Sequence, residues 1–537
     1  MSSASARRGL VIFIGIMLLT RIINAAWLSP VQDEAYYFYW SRFLDAGYFD
    51  HPPLVSWLAS PGQWLPGSTL LARLGTILLS LLSLPVILSF MKRLGLKGKE
   101  PLFSAVLLSV GSLAAILQGY ITTPDIPMMF CWILGLHEAA VALDDKPKRW
   151  LSAGLFTGLG ILGKYTMLLI GPVFLIALLV KPRKLLQPWP YLGALVCILT
   201  LLPHIIWLGN HEWITLRFQF GRGLQSIYSL PMTSPSDLPV AKAATANGIE
   251  TQLARYFKLP EDEISLPRPK PTGWVKYSQN VGNYCSGQLS LWGLLLGPLL
   301  LAFLRRRPMK TTWAKPELMA LAWAACWVPL ILFGLLSPWQ QIEANWPAMY
   351  MIGAAAILAQ TLKISSRSLY WAAGGNLGLS LVLTLHSHWP LLRKKPHQDR
   401  ILKETHGYSE LTQYLQTLAG PILTDTYQNA SQIAFFAPNL KIQQWPGMAR
   451  TSELLRNPAM NPWRWDELKQ HGTFYILSDN PVPAAIPGAN IKELSEILDC
   501  LDKGIQITLA KPAQDPYKRP CAQRIHRWSL AFYSVLP

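Results

Sequence analysis

Apolar runs of roughly 17–22 residues, the length a helix needs to cross a bilayer, recur along the first 390 residues. The pattern predicts spans near 10–28, 69–90, 102–119, 126–143, 190–209, 288–304, 317–336, 346–362 and 368–387. The stretch from Leu151 to Val180 is too long for one span and reads as two short helices broken around Gly163-Lys164-Tyr165. About 11 transmembrane helices result. Polar stretches at 29–68 and 210–287 interrupt them, the second too long for a mere connection. It holds the Pro-rich Leu266-Pro267-Arg268-Pro269-Lys270-Pro271 and a segment with helical character, Ala241 to Phe257. From about residue 391 to residue 537 the hydropathy falls. There the pattern predicts a small α/β domain: strands at Pro421–Asp425, Thr473–Ser478 and Trp528–Val535, and a helix from Gln428 to Phe436. The chain thus divides into a membrane domain, 1–390, and a C-terminal domain, 391–537.

Composition agrees: 51% of residues are hydrophobic and 22 are Trp, as in a polytopic membrane protein. Charge sets the orientation. Arg7 and Arg8 precede the first span. Lys92, Arg93, Lys97 and Lys99 follow the second, and Lys146, Lys148 and Arg149 the fourth. Lys181, Arg183 and Lys184, then Arg305, Arg306, Arg307 and Lys310, then Lys363 and Arg367 fall on the same side, the cytoplasm by the positive-inside rule. The 29–68 loop, the Thr122-Thr123-Pro124-Asp125 turn, the 210–287 loop and the C-terminal domain then face out of a multi-pass inner or plasma membrane. The net charge of +18 reports this topology and gives no reason to invoke nucleic acid. Arg393, Lys394 and Lys395 fall on the outer side instead: either the span count is off by one, or the cluster meets anionic membrane lipid, the reading favoured here. The first span has no small-x-small cleavage site and reads as retained. Cys131, Cys197 and Cys326 fall in spans as packing residues. Cys500 and Cys521 lie where oxidation is allowed, and no Cys-x-x-Cys pair suggests structural zinc.

The candidate chemistry gathers on the outer side. Asp33 and Glu34 open an aromatic segment in which Tyr36, Tyr39, Trp40, Phe43 and Leu44 recur at helical spacing, as an interfacial helix requires. Carboxylates at a helix N-terminus are kept ionised by the helix dipole, the state a general base needs; a plain cap is the bland alternative. Asp50-His51-Pro52-Pro53 is a stiff turn that aims His51 at a phosphate or a carboxylate, or simply holds the loop. Asp125 caps the outer hairpin. Lys164 between two apolar runs is a functional candidate, with a snorkelling lysine as the alternative. Arg217 and Arg222 are further outer cations, and His211, Gln288, Glu343 and Asn345 further polar groups.

Together these pieces resemble the bacterial polyprenyl-phosphate-sugar-dependent glycosyltransferases related to protein O-mannosyltransferases, with the aminoarabinose transferases that modify lipid A as cousins. The likeness runs in order through Asp33-Glu34-Ala35-Tyr36-Tyr37, Tyr48-Phe49-Asp50-His51-Pro52-Pro53, Thr123-Pro124-Asp125, Gly163-Lys164-Tyr165-Thr166 and Glu343-Ala344-Asn345-Trp346-Pro347. It implies the large membrane glycosyltransferase (GT-C) fold, an active site at the outer surface and a sugar donor on a polyprenyl phosphate. It implies Asp33 as base, with Glu34 and Asp125 beside it. Asp50, His51, Lys164, Tyr165, Arg217, Arg222, Glu343 and Asn345 become substrate-binding candidates. No general acid is required, because a lipid phosphate leaves readily; in-line attack inverts the anomeric carbon. Some cousins bind a divalent metal, but this sequence shows no clear ligand set. The aminoarabinose branch typically has Lys-Pro-Pro at His51-Pro52-Pro53, which argues against that assignment. The mannosyltransferase branch has His-Pro-Pro, but its inserted outer domain is absent. The acceptor stays open among lipid, glycan and protein Ser/Thr. A non-catalytic lipid-linked-sugar binder or flippase is the rival from another class; it predicts polar groups in mid-membrane and internal repeats, and neither is visible.

Overall fold

The computed structural model describes residues 3–96, 99–221, 238, 273–305, 312–391, 396–479, 482, 485–501, 503–509 and 523–536. Arg222, the Ala241–Phe257 segment, the Pro-rich stretch, the Arg393-Lys394-Lys395 cluster and Cys521 lie outside the described residues. Five described helices are long and apolar enough to cross a membrane: Arg8–Trp27, Leu74–Arg93, Asp125–Asp144, Trp189–Asn210 and Pro316–Leu336. Other expected spans are shorter or broken. The run at 102–119 splits into Lys99–Val110 and Leu113–Leu117, because the Ser112 side chain accepts from the Ala115 N–H and starts a new helix. The run near 288–304 belongs to a pair, Gly273–Ser290 and Gly293–Leu304, bent by 87°; Gly293, at φ +57°, takes the left-handed turn between them. The 151–180 stretch breaks at Lys164, between Trp150–Gly163 and a 3₁₀ turn at Tyr165–Leu169 that continues into Ile170–Leu179.

Among the described residues the C-terminal domain is built on a seven-stranded mixed sheet. Its strands are β1 (Ile422–Thr424), β2 (Ile442–Gln444), β3 (Thr473–Ser478), β4 (Ala485–Ile486), β5 (Ala489–Cys500), β6 (Gly504–Leu509) and β7 (Arg524–Val535). The order is β2-β1-β3-β7-β5-β4, with β6 also on β5. β2, β1 and β3 run parallel, and β7 and β5 continue antiparallel. Side chains alternate across β3: Phe474 and Ile476 pack with Trp445 and Tyr533 on one face, while Leu477 packs on the other with Ile433 and Trp528. Cys500 is disulfide-bonded, whereas Cys131, Cys197, Cys285 and Cys326 are free thiols.

That second face corrects one expectation. The helix after the first span, Gln32–Trp40, does not offer its aromatic stripe to lipid. Tyr36, Tyr37, Tyr39 and Trp40 are buried in one core with Tyr408, Leu411, Ile433 and Trp528 of the C-terminal domain. The spacing was that of an amphipathic helix, but protein covers its apolar side. Loop and domain are therefore one packed unit, and the C-terminal domain forms part of the surroundings of Asp33.

Candidate active site

The loop helix sets two neighbouring carboxylates in different surroundings, because successive residues point about 100° apart around a helix. Glu34 is enclosed. Arg73, fully buried, holds it through Nε to Oε1 at 2.8 Å and Nη2 to Oε2 at 2.5 Å. The Thr122 N–H donates to Oε1 at 2.8 Å. Arg73 also donates to the carbonyls of Ala25 at 3.0 Å and Leu28 at 2.6 Å, at the end of the first membrane helix. All the strong donors of Glu34 are thus fixed by protein, and it serves to lock the loop helix against the membrane helices. Sequence reasoning left Arg73 unremarked, although a cation inside the apolar 69–90 run was a signal of its own.

Asp33 faces the other way and remains open to solvent. Surrounding protein nevertheless raises its carboxyl above the usual range; Arg450 opposes this, Glu404 and Asp50 reinforce it, and a hydrogen bond from Tyr427 opposes it again. The Tyr427 hydroxyl donates to Oδ1 at 3.4 Å. A carboxylate with a raised value and an open face has the character of a general base.

The Asp50-His51-Pro52-Pro53 turn is anchored from the C-terminal domain. Asp50 is buried and accepts from the Tyr36 hydroxyl at 2.6 Å and from Arg450 Nη1 at 2.7 Å. The Glu453 N–H donates to the Tyr36 oxygen at 2.7 Å, and the Phe49 N–H to Glu453 Oε2 at 2.7 Å. His51 is half-buried, its ring 5.9 Å from that of Tyr37. Burial pushes the Glu453 carboxyl from its ordinary 4.5 up to about 8. An acid raised on folding holds its extra proton in the native state, so the stability it confers is present at acid pH and declines as pH rises through about 8. Glu453→Gln cannot ionise and is expected to flatten that decline. Thermal unfolding of both proteins between about pH 6 and pH 9 checks this; parallel declines contradict it.

Asp125 begins the Asp125–Asp144 helix and meets the broken helix. Lys164 Nζ donates to both Asp125 oxygens, at 2.8 and 3.0 Å, and Asn345 Nδ2 donates to Oδ2 at 2.9 Å. The approach is close because of Gly163: a Cβ there would stand 2.8 Å from the Met128 nitrogen. Lys164, expected as a cation free to meet a lipid phosphate, is instead ion-paired. Tyr165 turns away, bonding His204 Nε2 at 2.8 Å, and His204 Nδ1 lies 2.7 Å from the Ala46 carbonyl of the loop. Arg217 is half-exposed and 3.8 Å from Glu212. Glu343 is exposed, accepts from Gln341 at 3.4 Å, and bears with Asp33 on the charge of Arg400.

The acids converge. Tyr37 is buried, and the negative charges of Asp33, Asp50 and Asp125 add to burial in raising its hydroxyl well above the usual range. Asp33, Asp50 and Asp125 thus all bear on the Tyr37 hydroxyl, and Lys164 and Asn345 bond to Asp125. Arg217 and Tyr165 stand apart from this group. Among the described residues no three His, Cys, Asp or Glu side chains are grouped to hold a metal ion. Tyr427, Arg450 and Glu453 had no sequence signal: they lie some 394 to 417 positions from their partners.

Residues 50–207 match the family described as dolichyl-phosphate-mannose-protein mannosyltransferase. The chain superposes on the apo crystal structure of ArnT from Cupriavidus metallidurans with a TM-score of 0.55 at 14% identity, covering 89% of this chain and 93% of that one. The chain has the GT-C fold. This GT-C chain is 28% identical over 219 residues to the lipid A galacturonosyltransferase RgtD of Rhizobium johnstonii, covering 40% of this chain and 46% of that protein. It is 29% identical over 181 residues to undecaprenyl phosphate-alpha-4-amino-4-deoxy-L-arabinose arabinosyl transferase 1 of Sodalis glossinidius, covering 32% of each. The chain thus spans less than half the length of these curated relatives. The likeness to the aminoarabinose transferases holds although His51 stands where that branch typically has Lys.

Proposed function

We propose that this chain is an inverting glycosyltransferase. It moves a sugar from a polyprenyl-phosphate carrier to an extracytoplasmic acceptor, and the acceptor is the lipid A or core region of lipopolysaccharide. The observation that carries the reading is the contrast between the two loop acids: Glu34 is held by Arg73 and the Thr122 N–H, while Asp33 is open, raised and subject to the charge of Asp50. The names of two relatives from Rhizobium johnstonii, the lipid A galacturonosyltransferase RgtD and the lipopolysaccharide core galacturonosyltransferase RgtA, favour a lipid A or core acceptor; the matched family favours a protein acceptor and is the second reading. The topology of about 11 spans, N-terminus inside and C-terminal domain outside, belongs to this proposal.

Asp33 takes the proton of the acceptor hydroxyl as its oxygen attacks the anomeric carbon. The bond to the phosphate oxygen breaks, and its electron pair leaves with the polyprenyl phosphate, which needs no protonation. Lys164 spends two of its three N–H donors on Asp125 and directs the third at the departing phosphate. Asp125 and Asn345 orient that lysine. Glu34 and Arg73 fix the helix on which Asp33 stands. His51, on the turn anchored by Asp50, contacts the donor.

Mass analysis of lipid A, core, surface glycan and secreted proteins, from cells with and without the chain, tests the acceptor. A sugar-sized mass lost from lipid A or core without the chain is expected. Loss confined to secreted proteins supports the second reading, and no loss in any fraction refutes both.

A further inference from the structure

We propose that Tyr427 and Arg450, both carried by the C-terminal domain, are positioning residues for Asp33, so that this domain completes the active site. The inference rests on the reading of Asp33 as base. Tyr427 opens the helix Tyr427–Phe436, whose N-terminus is fixed by the Thr426 side chain accepting from the Asn429 N–H. Its ring lies 4.3 Å from that of Tyr36 on the loop helix, and its hydroxyl reaches Asp33. The Arg450 guanidinium sits 4.3 Å over the other partner surface, the Tyr427 ring, while Nη1 pairs with Asp50 at 2.7 Å and donates to the Thr451 carbonyl at 3.0 Å. One domain thereby grips both acid-bearing segments of the loop, 17 residues apart in sequence (33 to 50), from one side.

The chemistry of the grip is specific. A phenol that donates to a carboxylate favours its ionised form, as does a nearby guanidinium. A cation over the ring also draws on the phenol's electrons. The 3.4 Å separation is long for an O–H···O bond, as bonds to catalytic groups often are before substrate closes a site. The groups that bear on Asp33 are Arg450, Glu404, Asp50, Tyr427, Arg400 and Tyr37. Of these, Tyr427 and Arg450 hold the carboxyl down, whereas desolvation by the surrounding protein, Glu404 and Asp50 push it up. Removing either holder therefore raises Asp33 further and leaves less of it ionised at a given pH. A tyrosine that only packs has no such effect.

The test is the titration of Asp33 in the full chain in detergent. Protein labelled with ¹³C-aspartate is followed by infrared spectroscopy, and subtraction of Asp33→Asn isolates one carboxyl band. Tyr427→Phe keeps the ring and is expected to move the midpoint up by about half to one pH unit, and Arg450→Met by about one unit or more. Arg450→Lys keeps a charge and restores part of the shift. The acidic limb of kcat/KM moves up in parallel. An unchanged midpoint in Tyr427→Phe overturns the proposal whether or not Arg450→Met folds. Full transfer by Asp33→Asn is a different result: it removes the base assignment and leaves the titration to be read on its own.

Discussion

Arg73→Met is expected to cost about 3–5 kcal/mol of stability, the usual consequence of removing one member of a buried ion pair. The guanidinium is fully buried and joins Glu34 to the carbonyls of Ala25, Leu28 and Ser29. Methionine fills much of the volume but donates nothing. Glu34 is then left with the Thr122 N–H as its donor, and the last carbonyls of the first membrane helix lose their partner. Replacing both residues, as in Arg73→Met with Glu34→Met, is expected to cost less than the two single changes added together, since no lone charge stays buried. The buried free thiols Cys131 and Cys326 provide the readout. Their labelling by a maleimide dye on heating marks unfolding, and a midpoint unchanged in Arg73→Met contradicts the role given to the pair.

The same pair explains what the sequence hid. Hydropathy located the apolar runs, and the polar break at Gly163-Lys164-Tyr165 stood out because a lysine between apolar segments is costly. Asp33, Asp50 and Asp125 were legible as acids in polar breaks that the charge pattern assigns to one side. Arg73 was read as part of an apolar run, since averaging over a window dilutes one charge. The aromatic stripe of the loop helix was legible as amphipathic, yet nothing in its spacing distinguishes a lipid surface from a protein one. The domain that covers it sits some 370 residues or more further on, and packing across such a separation leaves no local pattern. Lys164 was noticed for its charge, but its partner could be named only when Asp125 and the broken helix met in space. For the same reason Tyr427 and Arg450, which reach Asp33 and Asp50, had no signature in the chain.

Asp33→Asn is expected to slow transfer by about 10²–10⁴-fold, the range a positioned base contributes. Asparagine keeps the size of the side chain and one accepting oxygen for Tyr427, but it cannot take the proton of an attacking hydroxyl. Donor binding and thermal unfolding should be nearly unchanged, because Asp33, unlike Glu34, holds no ion pair among the described residues. Asp125→Asn should lose less, since its part is to orient Lys164. Glu34→Gln acts through stability, so its effect should follow the folded fraction.

The most direct measurement is transfer by purified wild-type and Asp33→Asn protein. Each is supplied with polyprenyl-phosphate sugars extracted from membranes of the source cell and with lipopolysaccharide, and mass spectrometry reads both products. Wild type should add one sugar mass to the lipopolysaccharide and release the matching polyprenyl phosphate, while equally folded Asp33→Asn does so about 10²–10⁴-fold more slowly. Transfer by Asp33→Asn at the wild-type rate, or no transfer by the wild type, would contradict the account.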